Sequence, residues 1–264
     1  MNANKDSAQP LPTHQCDIIV VLSMDGVLFD FKRTWPRWVE EMTARMAKDR
    51  KPQLTDALYE SLGYVPTTRR FTEGGGFRRV MPHLLPFEIV FGTLVASGLQ
   101  ARLAKNLRDV HWYLPRFVNE FYPRDNLNKI FHEITSLGAH IAICTRNRRA
   151  VAQELLTHCS VLQLVDCLVC GDDSDVVTQV ARLHRICSEL CVSLDRLLMV
   201  TDSTEDAKAA QRGGCAFTIG MNGGVSTAHE LGTHVSAIVT SLPQFVSFLR
   251  GTIHLLLPFS SISP

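Results

Sequence analysis

Five short apolar runs alternate with helical segments along most of this chain, and this alternation restricts the fold more than any other feature. Each run is bounded by polar or turn residues, as expected for strands that are buried on both faces. The runs occupy residues 17–23, 139–144, 166–170, 197–201 and 216–220. The segments with helical spacing occupy residues 127–137, 148–158, 176–190 and 204–212. This pattern predicts an α/β fold, in which helices cover both faces of a parallel sheet of five or six strands.

After the first run the alternation stops until residue 127, and the intervening stretch has a mostly helical pattern. Such a stretch is too long to be a simple loop. Its first apolar residues recur three, four and four positions apart, as on one face of a helix: Trp35, Trp38, Met42 and Met46. We therefore predict an inserted helical cap, with hinges near residues 30–33 and 119–123, and assign Trp35 and Trp38 to its core.

The resulting domain organisation has a core interrupted by the cap. The core comprises residues 17–32 and 120–250, and the cap comprises residues 33–119. Short tails, residues 1–16 and 251–264, flank this arrangement.

Composition and charge exclude several classes of function. Apolar residues make up 45% of the chain and charged residues 20%, which predicts a packed core. With 27 Lys and Arg against 26 Asp and Glu, the net charge of +1 gives no overall case for a nucleic-acid partner, which would require a basic stripe. The longest apolar run near a terminus, residues 253–259, is far shorter than the roughly 20 residues of a membrane span.

The distribution of cysteines and the polar amino terminus bear on the cellular compartment in which the protein is expected to function. The eight cysteines are scattered, and Cys167 and Cys170 have no second pair with which to form a zinc site. Buried thiols of this kind are usually small core residues. Residues 1–16 are polar and lack the apolar centre of a secretory signal. We expect a reducing, intracellular compartment.

Polar side chains that could bind a ligand or take part in catalysis lie at the ends of three of the predicted strands. The first strand ends in Ser23 and is followed closely by Asp25, the second is followed by Thr145, and the fourth is followed by Asp202. In open α/β sheets this is the edge at which ligands bind. Carboxylates suit a hard cation such as Mg²⁺, and a hydroxyl with backbone N–H groups at a helix start suits a phosphate. Each residue alone is explained as well by capping of the next helix.

Taken together and in order, these segments resemble the haloacid-dehalogenase superfamily, and within it the phosphoglycolate-phosphatase-like hydrolases with a helical cap after strand one. The first family motif, Asp-x-Asp-Gly-(Thr/Val), corresponds to SMDGV at residues 23–27. The second, an apolar strand that ends in Thr or Ser, corresponds to IAICT at residues 141–145. The fourth, Gly-Asp-Ser-x-x-Asp, corresponds to TDSTED at residues 201–206. The resemblance implies a Rossmannoid core and activity on a small phosphate ester.

The resemblance also implies site residues. The catalytic positions are Ser23, Asp25 and Thr145. The phosphate-binding positions are Gly26, Thr145 and Arg146. The magnesium ligands are Asp25, through its backbone carbonyl, and Asp202, with Asp206 nearby.

Two departures from the family pattern affect the chemistry. The first motif normally supplies an aspartate that attacks phosphorus and binds magnesium, and Ser23 occupies that position. The third motif is normally a lysine, and the region near residue 177 contains none. Arg182 or Arg185 is a candidate replacement for its charge. Loss of a nucleophile can cost about a million-fold in turnover, so catalysis is expected to be weak. Because position 23 also loses an anionic ligand, magnesium binding is expected to be weak as well.

We therefore favour a pseudoenzyme, a phosphatase fold kept as a binding or scaffold component of a protein complex. The alternative is an active magnesium-dependent phosphatase with an altered nucleophile site, and a serine introduced by engineering is a variant of that alternative. The acidic segment 172–175 is either a substitute metal ligand or a solvated loop. The arginines of segment 69–79 either meet an anion or partner or are ordinary exposed charges. That segment and the apolar tail 255–259 are the candidate partner surfaces.

Overall fold

In the computed structural model of the chain, the described residues are 18–48, 53–72, 86–111, 121–174, 176 and 178–256. The first strand, β1 (Ile18–Ser23), leads directly into the cap. The described cap elements are α1 (Phe31–Ala47), α2 (Gln53–Leu62), β2 (Tyr64–Val65), β3 (Arg70–Phe71), α3 (Pro86–Ala96) and α4 (Ala101–His111).

The remaining elements return to the core. The helices are α5 (Leu127–Ser136), α6 (Arg149–His158), α7 (Gln179–Leu190), α8 (Thr204–Gly213), α9 (Ala228–Gly232) and α10 (Leu242–Leu256). The strands are β4 (Ala139–Cys144), β5 (Cys167–Val169), β6 (Leu197–Thr201), β7 (Phe217–Met221) and β8 (Ala237–Val239).

Six of the strands form one parallel sheet in the order β5-β4-β1-β6-β7-β8. β1 therefore lies near the centre, with β4 on one side and β6 on the other. The α/β prediction is confirmed, and the sheet has the larger of the two expected strand numbers. The sixth strand, β8, has only three residues, two of them partly exposed, which is why no apolar run marks it in the sequence.

β1 is an apolar run because both faces of the sheet are covered. All six of its residues are buried. Ile18, Val20 and Leu22 belong to the apolar cluster on one face, whereas Ile19 and Val21 belong to the cluster on the other. A strand buried on both sides can tolerate few polar residues until it leaves the sheet, and this places Ser23 at the carboxyl edge.

The cap has an apolar cluster of its own. Trp35, Trp38, Met42 and Met46 are all buried in it, which agrees with their helical spacing and with the assignment of both tryptophans to the cap core. The β2–β3 hairpin was not expected from the sequence, because each strand has two residues. Within the described ranges, no helix is both long and apolar enough to cross a lipid bilayer.

Two segments connect cap and core, and they run side by side. The Asp30 N–H donates to the Tyr122 carbonyl at 2.7 Å, and the Arg124 N–H donates to the Leu28 carbonyl at 2.9 Å. Asp30 also caps α1 by accepting from the backbone N–H groups of the helix's first turn. The outgoing and returning chains are thus joined by backbone hydrogen bonds beside the sheet edge.

The two cysteines with CxxC spacing are small core residues. Cys167 and Cys170 are buried, and every cysteine within the described ranges is a free thiol. Burial raises the pKa of the Cys170 thiol to about 12, so this group remains protonated and is a poor metal ligand or nucleophile.

Candidate functional site

The carboxyl edge of the sheet brings the predicted residues onto neighbouring strands. β4 and β6 flank β1, with Ser23 opposite Cys144 and Leu22 opposite Val200. Ser23 therefore ends the central strand, while Thr145 directly follows β4 and Asp202 directly follows β6. Parallel strands end on one side of the sheet, so all three residues lie at the same edge.

A tight loop follows Ser23. The N–H of Gly26 donates to the carbonyl of Phe29 at 2.8 Å, and the N–H of Leu28 donates to that of Met24 at 2.9 Å. Gly26 has a φ of +75°, in the left-handed region. Glycine adopts this conformation without the steric cost that a Cβ atom would add.

Asp202 is packed beneath this loop. Its side chain is almost fully buried, with 5% of the residue exposed, and its Oδ2 accepts from the backbone N–H of Val225 at 2.7 Å. Burial, together with the negative charges of Asp206 and Asp25, raises the pKa of Asp202 to about 7, although the hydrogen bond from Val225 opposes the shift. The carboxyl group is therefore partly protonated near neutral pH.

Asp25 is held by two neutral donors. Trp35 Nε1 donates to its Oδ1 at 3.1 Å, and Asn147 Nδ2 donates to its Oδ2 at 3.0 Å. Burial raises the pKa of Asp25, whereas these two hydrogen bonds and the charge of Arg146 oppose the rise. The sequence assigned Trp35 to the cap core, and the structure adds a polar contact with the core domain.

Ser23 is 7% exposed. Among the described residues, none is hydrogen-bonded to its hydroxyl group. A serine becomes a nucleophile when a neighbouring base removes its proton. Asp25, the nearest predicted candidate in sequence, directs its two oxygens to Trp35 and Asn147 instead.

Thr145 is buried beside Arg182, one of the two arginines that the sequence offered as a replacement for the missing lysine. Its Oγ1 accepts from the Asn147 N–H at 3.1 Å, which leaves the hydroxyl proton free to be donated. Its carbonyl accepts from Arg182 Nη1 at 3.3 Å. Arg182 is 1% exposed, whereas Arg185 forms an ion pair with Glu189 at 2.6 Å along the same helix. Arg182 is thus the arginine of α7 that lies beneath the site.

Arg146 and Asp206 are brought together, although they were assigned to different ligands. Arg146 Nη2 lies 2.9 Å from Asp206 Oδ1, and Asp206 raises the pKa of Arg146. The predicted phosphate ligand and the predicted metal neighbour therefore satisfy each other's charge. Their roles toward an anion and a metal remain predictions.

The acidic segment after β5 has a structural role. The carboxylate of Asp172 accepts from the Arg149 N–H at the start of α6. Asp173 accepts from Arg149 Nη2 and from the N–H of Cys170, each at 2.9 Å, and the pKa of Asp173 is lowered by these partners despite its partial burial. The interpretation as a solvated loop is wrong for Asp173, because its side chain is enclosed and paired. Asp175 lies outside the described residues.

The cap arginines are only partly described. Arg69 Nη2 lies 3.0 Å from Glu40 Oε2, and its Nε donates to Glu40 Oε1 at 3.1 Å, so its charge is already paired within the cap. Arg70 belongs to β3 and is exposed. Arg78, Arg79 and most of the tail 255–259 lie outside the described residues.

Arg124 is a site residue that sequence reasoning missed. Its guanidinium donates to the carbonyl oxygens of Gly26 at 2.6 Å, Asn222 at 2.9 Å and Thr240 at 3.3 Å. These carbonyls belong to the loops after β1, β7 and β8. One side chain therefore ties three loops of the edge together, and no motif spacing in the sequence signals it.

Comparison with solved structures decides the fold. A haloacid dehalogenase-like hydrolase from Bacteroides fragilis, described as putative, superposes with a TM-score of 0.62 at 16% identity, covering 87% of this chain and 99% of that one. A phosphoglycolate phosphatase from Haemophilus somnus, described as predicted, superposes with a TM-score of 0.61 at 14% identity, covering 88% and 97%. Residues 91–219 match the family model of haloacid dehalogenase-like hydrolases. The fold of this chain is therefore haloacid dehalogenase-like.

No curated protein matches the chain. A β-phosphoglucomutase from Thermotoga maritima, also described as putative, superposes with a TM-score of 0.59 at 19% identity, covering 89% of this chain and 99% of that one. Identities this low establish the fold alone. Activity and ligand must be argued from the residues of the site.

Haloacid dehalogenase-like hydrolases generally use Mg²⁺, and the residues present here fit that ion poorly. Mg²⁺ favours carboxylate oxygens in near-octahedral geometry. Position 23 supplies a neutral hydroxyl, Asp202 Oδ2 accepts from Val225, and Asp206 is paired with Arg146. Across the described ranges, no three His, Cys, Asp or Glu side chains are grouped as a metal site. The described carboxylates are therefore largely committed to protein partners and would hold Mg²⁺ weakly.

Proposed function

We propose that this protein keeps the phosphate-binding edge of the haloacid dehalogenase-like fold as a binding site and does not hydrolyse phosphate esters through a covalent intermediate. It acts as a pseudoenzyme, a binding or scaffold component of an intracellular protein complex. The proposed organisation is a core of residues 17–32 and 120–250 and a cap of residues 33–119.

The observation that carries this proposal is the environment of Ser23. An acyl-phosphate intermediate requires a carboxylate at this position, and the residue present has a hydroxyl group. That hydroxyl contacts no base among the described residues. Without proton removal the serine oxygen is a weak nucleophile, so attack on phosphorus is not assisted.

Asp25 does not supply the missing base. Each of its carboxylate oxygens accepts an N–H donor, from Trp35 and from Asn147. A general base must be within hydrogen-bonding distance of the proton that it removes, and the described geometry directs Asp25 toward the cap and the loop after β4.

Binding of a phosphate-like anion is supported by several groups. Thr145 retains a free hydroxyl proton because its oxygen accepts from Asn147. Arg182 contributes a buried positive charge behind Thr145. In a poorly solvated environment such a charge acts more strongly than it would in water. We therefore propose phosphate or a small phosphate ester as the ligand class, with weak magnesium binding at most.

A second candidate, an active phosphatase with an altered nucleophile, is favoured by the same arginine. The sequence lacks both the nucleophilic aspartate and the lysine of the third motif. In this reading, the guanidinium of Arg182 supplies the positive charge that the lysine would have supplied. Transition-state charge would then be partly stabilised. Activation of Ser23 would still be lacking.

The test is a phosphatase screen of the purified chain with magnesium and a small ester such as p-nitrophenyl phosphate. Ser23→Ala is the matched control, and Ser23→Asp restores the carboxylate. We expect the unmodified chain and Ser23→Ala to be equally inactive, and Ser23→Asp to bind magnesium more tightly. Turnover of about 1 per second, in the ordinary range for enzymes, that disappears in Ser23→Ala would establish the active alternative.

A further inference from the structure

The cap contacts a carboxylate of the core site directly. Trp35 belongs to α1, the first helix of the cap, and its Nε1–H donates to Asp25 Oδ1 at 3.1 Å. Asn147, in the loop after β4, donates to the other oxygen of Asp25 at 3.0 Å. We call these three residues the cap latch. The latch spans the cap, the loop after β1 and the loop after β4.

Trp35 is buried and packs against one aromatic ring of the cap cluster, Trp38, and one of the core cluster, Phe121. It is 8% exposed, and its ring packs edge to face against Trp38, with centroids 5.6 Å apart, and against Phe121, with centroids 6.5 Å apart. Aromatic pairs of this geometry add stabilisation beyond their buried area. Movement of α1 away from the core would therefore carry the indole N–H away from Asp25.

A second contact between the cap and the core involves Asp202. Val225, in the loop after β7, packs against the apolar cluster of the cap. Its backbone N–H donates to Asp202 Oδ2 at 2.7 Å. Asp25 and Asp202 are thus each hydrogen-bonded to a residue that packs in the cap cluster.

From this geometry we propose that Trp35 is a positioning residue that holds the cap closed on the core, and that Asp25 serves in this chain as the acceptor of that latch. A hydrogen bond to a charged acceptor contributes more than one between neutral groups, and here the acceptor is desolvated, which makes loss of the donor costly. Ligands too large for the closed site would enter only after the Trp35–Asp25 bond has opened.

This inference goes beyond the proposed function and does not depend on it, because the latch is tested in the ligand-free protein without any assay of turnover. The probe is amide hydrogen exchange at three N–H groups of the junction. Asp30 donates to the Tyr122 carbonyl, Arg124 to the Leu28 carbonyl and Val225 to Asp202. The N–H of Thr145, which donates to the Val169 carbonyl within the core, is the internal reference.

Trp35→Phe removes the indole N–H and keeps an aromatic ring. We expect the three junction amides to exchange about tenfold faster, in line with loss of one charge-assisted bond, and the Thr145 amide to be unchanged. Trp38→Phe is the matched control, since Trp38 lies on the same helix, is also buried and is not the donor to Asp25. It should leave the junction amides slow.

Two variants of Asp25 separate hydrogen bonding from folding. Asp25→Asn keeps an acceptor for Trp35, and a rotation of the Asn147 amide restores the other bond, so slow exchange should be retained. Asp25→Leu removes both acceptors and should reproduce the fast exchange of Trp35→Phe. Unchanged junction amides in Trp35→Phe and Asp25→Leu, or equal acceleration in Trp38→Phe, would overturn the proposal.

Discussion

Gly26 and Asp202 are packed so closely that a Cβ atom on residue 26 would lie 2.0 Å from Oδ2 of the aspartate. Gly224 approaches the same oxygen from another loop, where a Cβ atom would lie 2.1 Å away. The carboxyl group of Asp202 is therefore enclosed between the loop after β1 and the loop after β7. This contact links the first and fourth motif segments directly.

The first prediction concerns Gly26→Ala. The new methyl group would collide with a buried carboxyl group, and the backbone would be strained at a φ of +75°. Gly138→Ala is the matched control, because Gly138 has a φ of +79° and open space around its Cβ position. Strain alone costs about 1 kcal/mol, and we expect Gly26→Ala to lose at least ~2 kcal/mol more than the control in urea unfolding. Equal losses would show that Asp202 moves aside freely.

The second prediction concerns the pH dependence of stability. Because the pKa of Asp202 is raised from 3.8 to about 7 on folding, the folded state holds a proton that the unfolded state releases. Its contribution to stability is complete below about pH 4 and is lost as the pH rises through about 7. Asp202→Asn removes the ionisation and keeps an acceptor for Val225.

Thermal unfolding in chelator should therefore show Asp202→Asn to be more stable than the unmodified chain at pH 8, by at least about 1 kcal/mol, with little difference at pH 4. Added Mg²⁺ should reduce the advantage only if the ion binds the aspartate. A variant less stable than the parent at pH 8 would contradict the raised pKa.

The third prediction concerns Arg182→Met. The guanidinium is buried with one bond to the Thr145 carbonyl, and its Nε has no hydrogen-bond partner in the described structure. Replacement of a poorly satisfied buried charge by an apolar side chain of similar length is often close to neutral. We expect stability to change by less than about 1 kcal/mol while phosphate affinity falls about tenfold.

Calorimetric titration with inorganic phosphate measures the affinity, and urea unfolding measures the stability. Arg185→Met, on the same helix, is the control and should retain phosphate binding. Retained affinity in Arg182→Met would remove this residue from the proposed anion site.

The fourth prediction concerns Arg124. Because its guanidinium reaches three loop carbonyls, a single ammonium group cannot replace it. Arg124→Lys and Arg124→Met should both lose about 2 kcal/mol in urea unfolding, whereas Arg212→Lys, at an exposed position on α8, should lose almost nothing. Rescue by lysine would show that charge, and not the three-way geometry, is what matters.

Much of the fold follows from local pattern. The run IIVVLS is buried on both faces of the sheet, and the spacing from Trp35 to Met46 marks the buried face of α1. Such patterns are visible because burial imposes a periodicity on consecutive residues. Motif order also predicted which residues follow β1, β4 and β6, since parallel strands all end at one edge.

Contacts between distant segments carry no such periodicity. Arg182 and Arg185 lie one turn apart on α7, and only the rotation of that helix against the sheet buries the first and leaves the second partly exposed. The pairing of Arg146 with Asp206 joins residues 60 positions apart, and Arg124 reaches carbonyls of loops far along the chain.

The amino-acid order thus settles the strands, the helices, the edge at which the polar residues gather and the serine at position 23, because each of these is a local property of the chain. Packing in three dimensions determines which charges are neutralised, whether the carboxyl group of Asp202 keeps its proton near neutral pH, and where the N–H of Trp35 is directed. Those outcomes depend on the orientation of whole helices and loops against one another, and on the removal of water between them. A linear pattern of residue types records neither the orientation of these elements nor the removal of water between them.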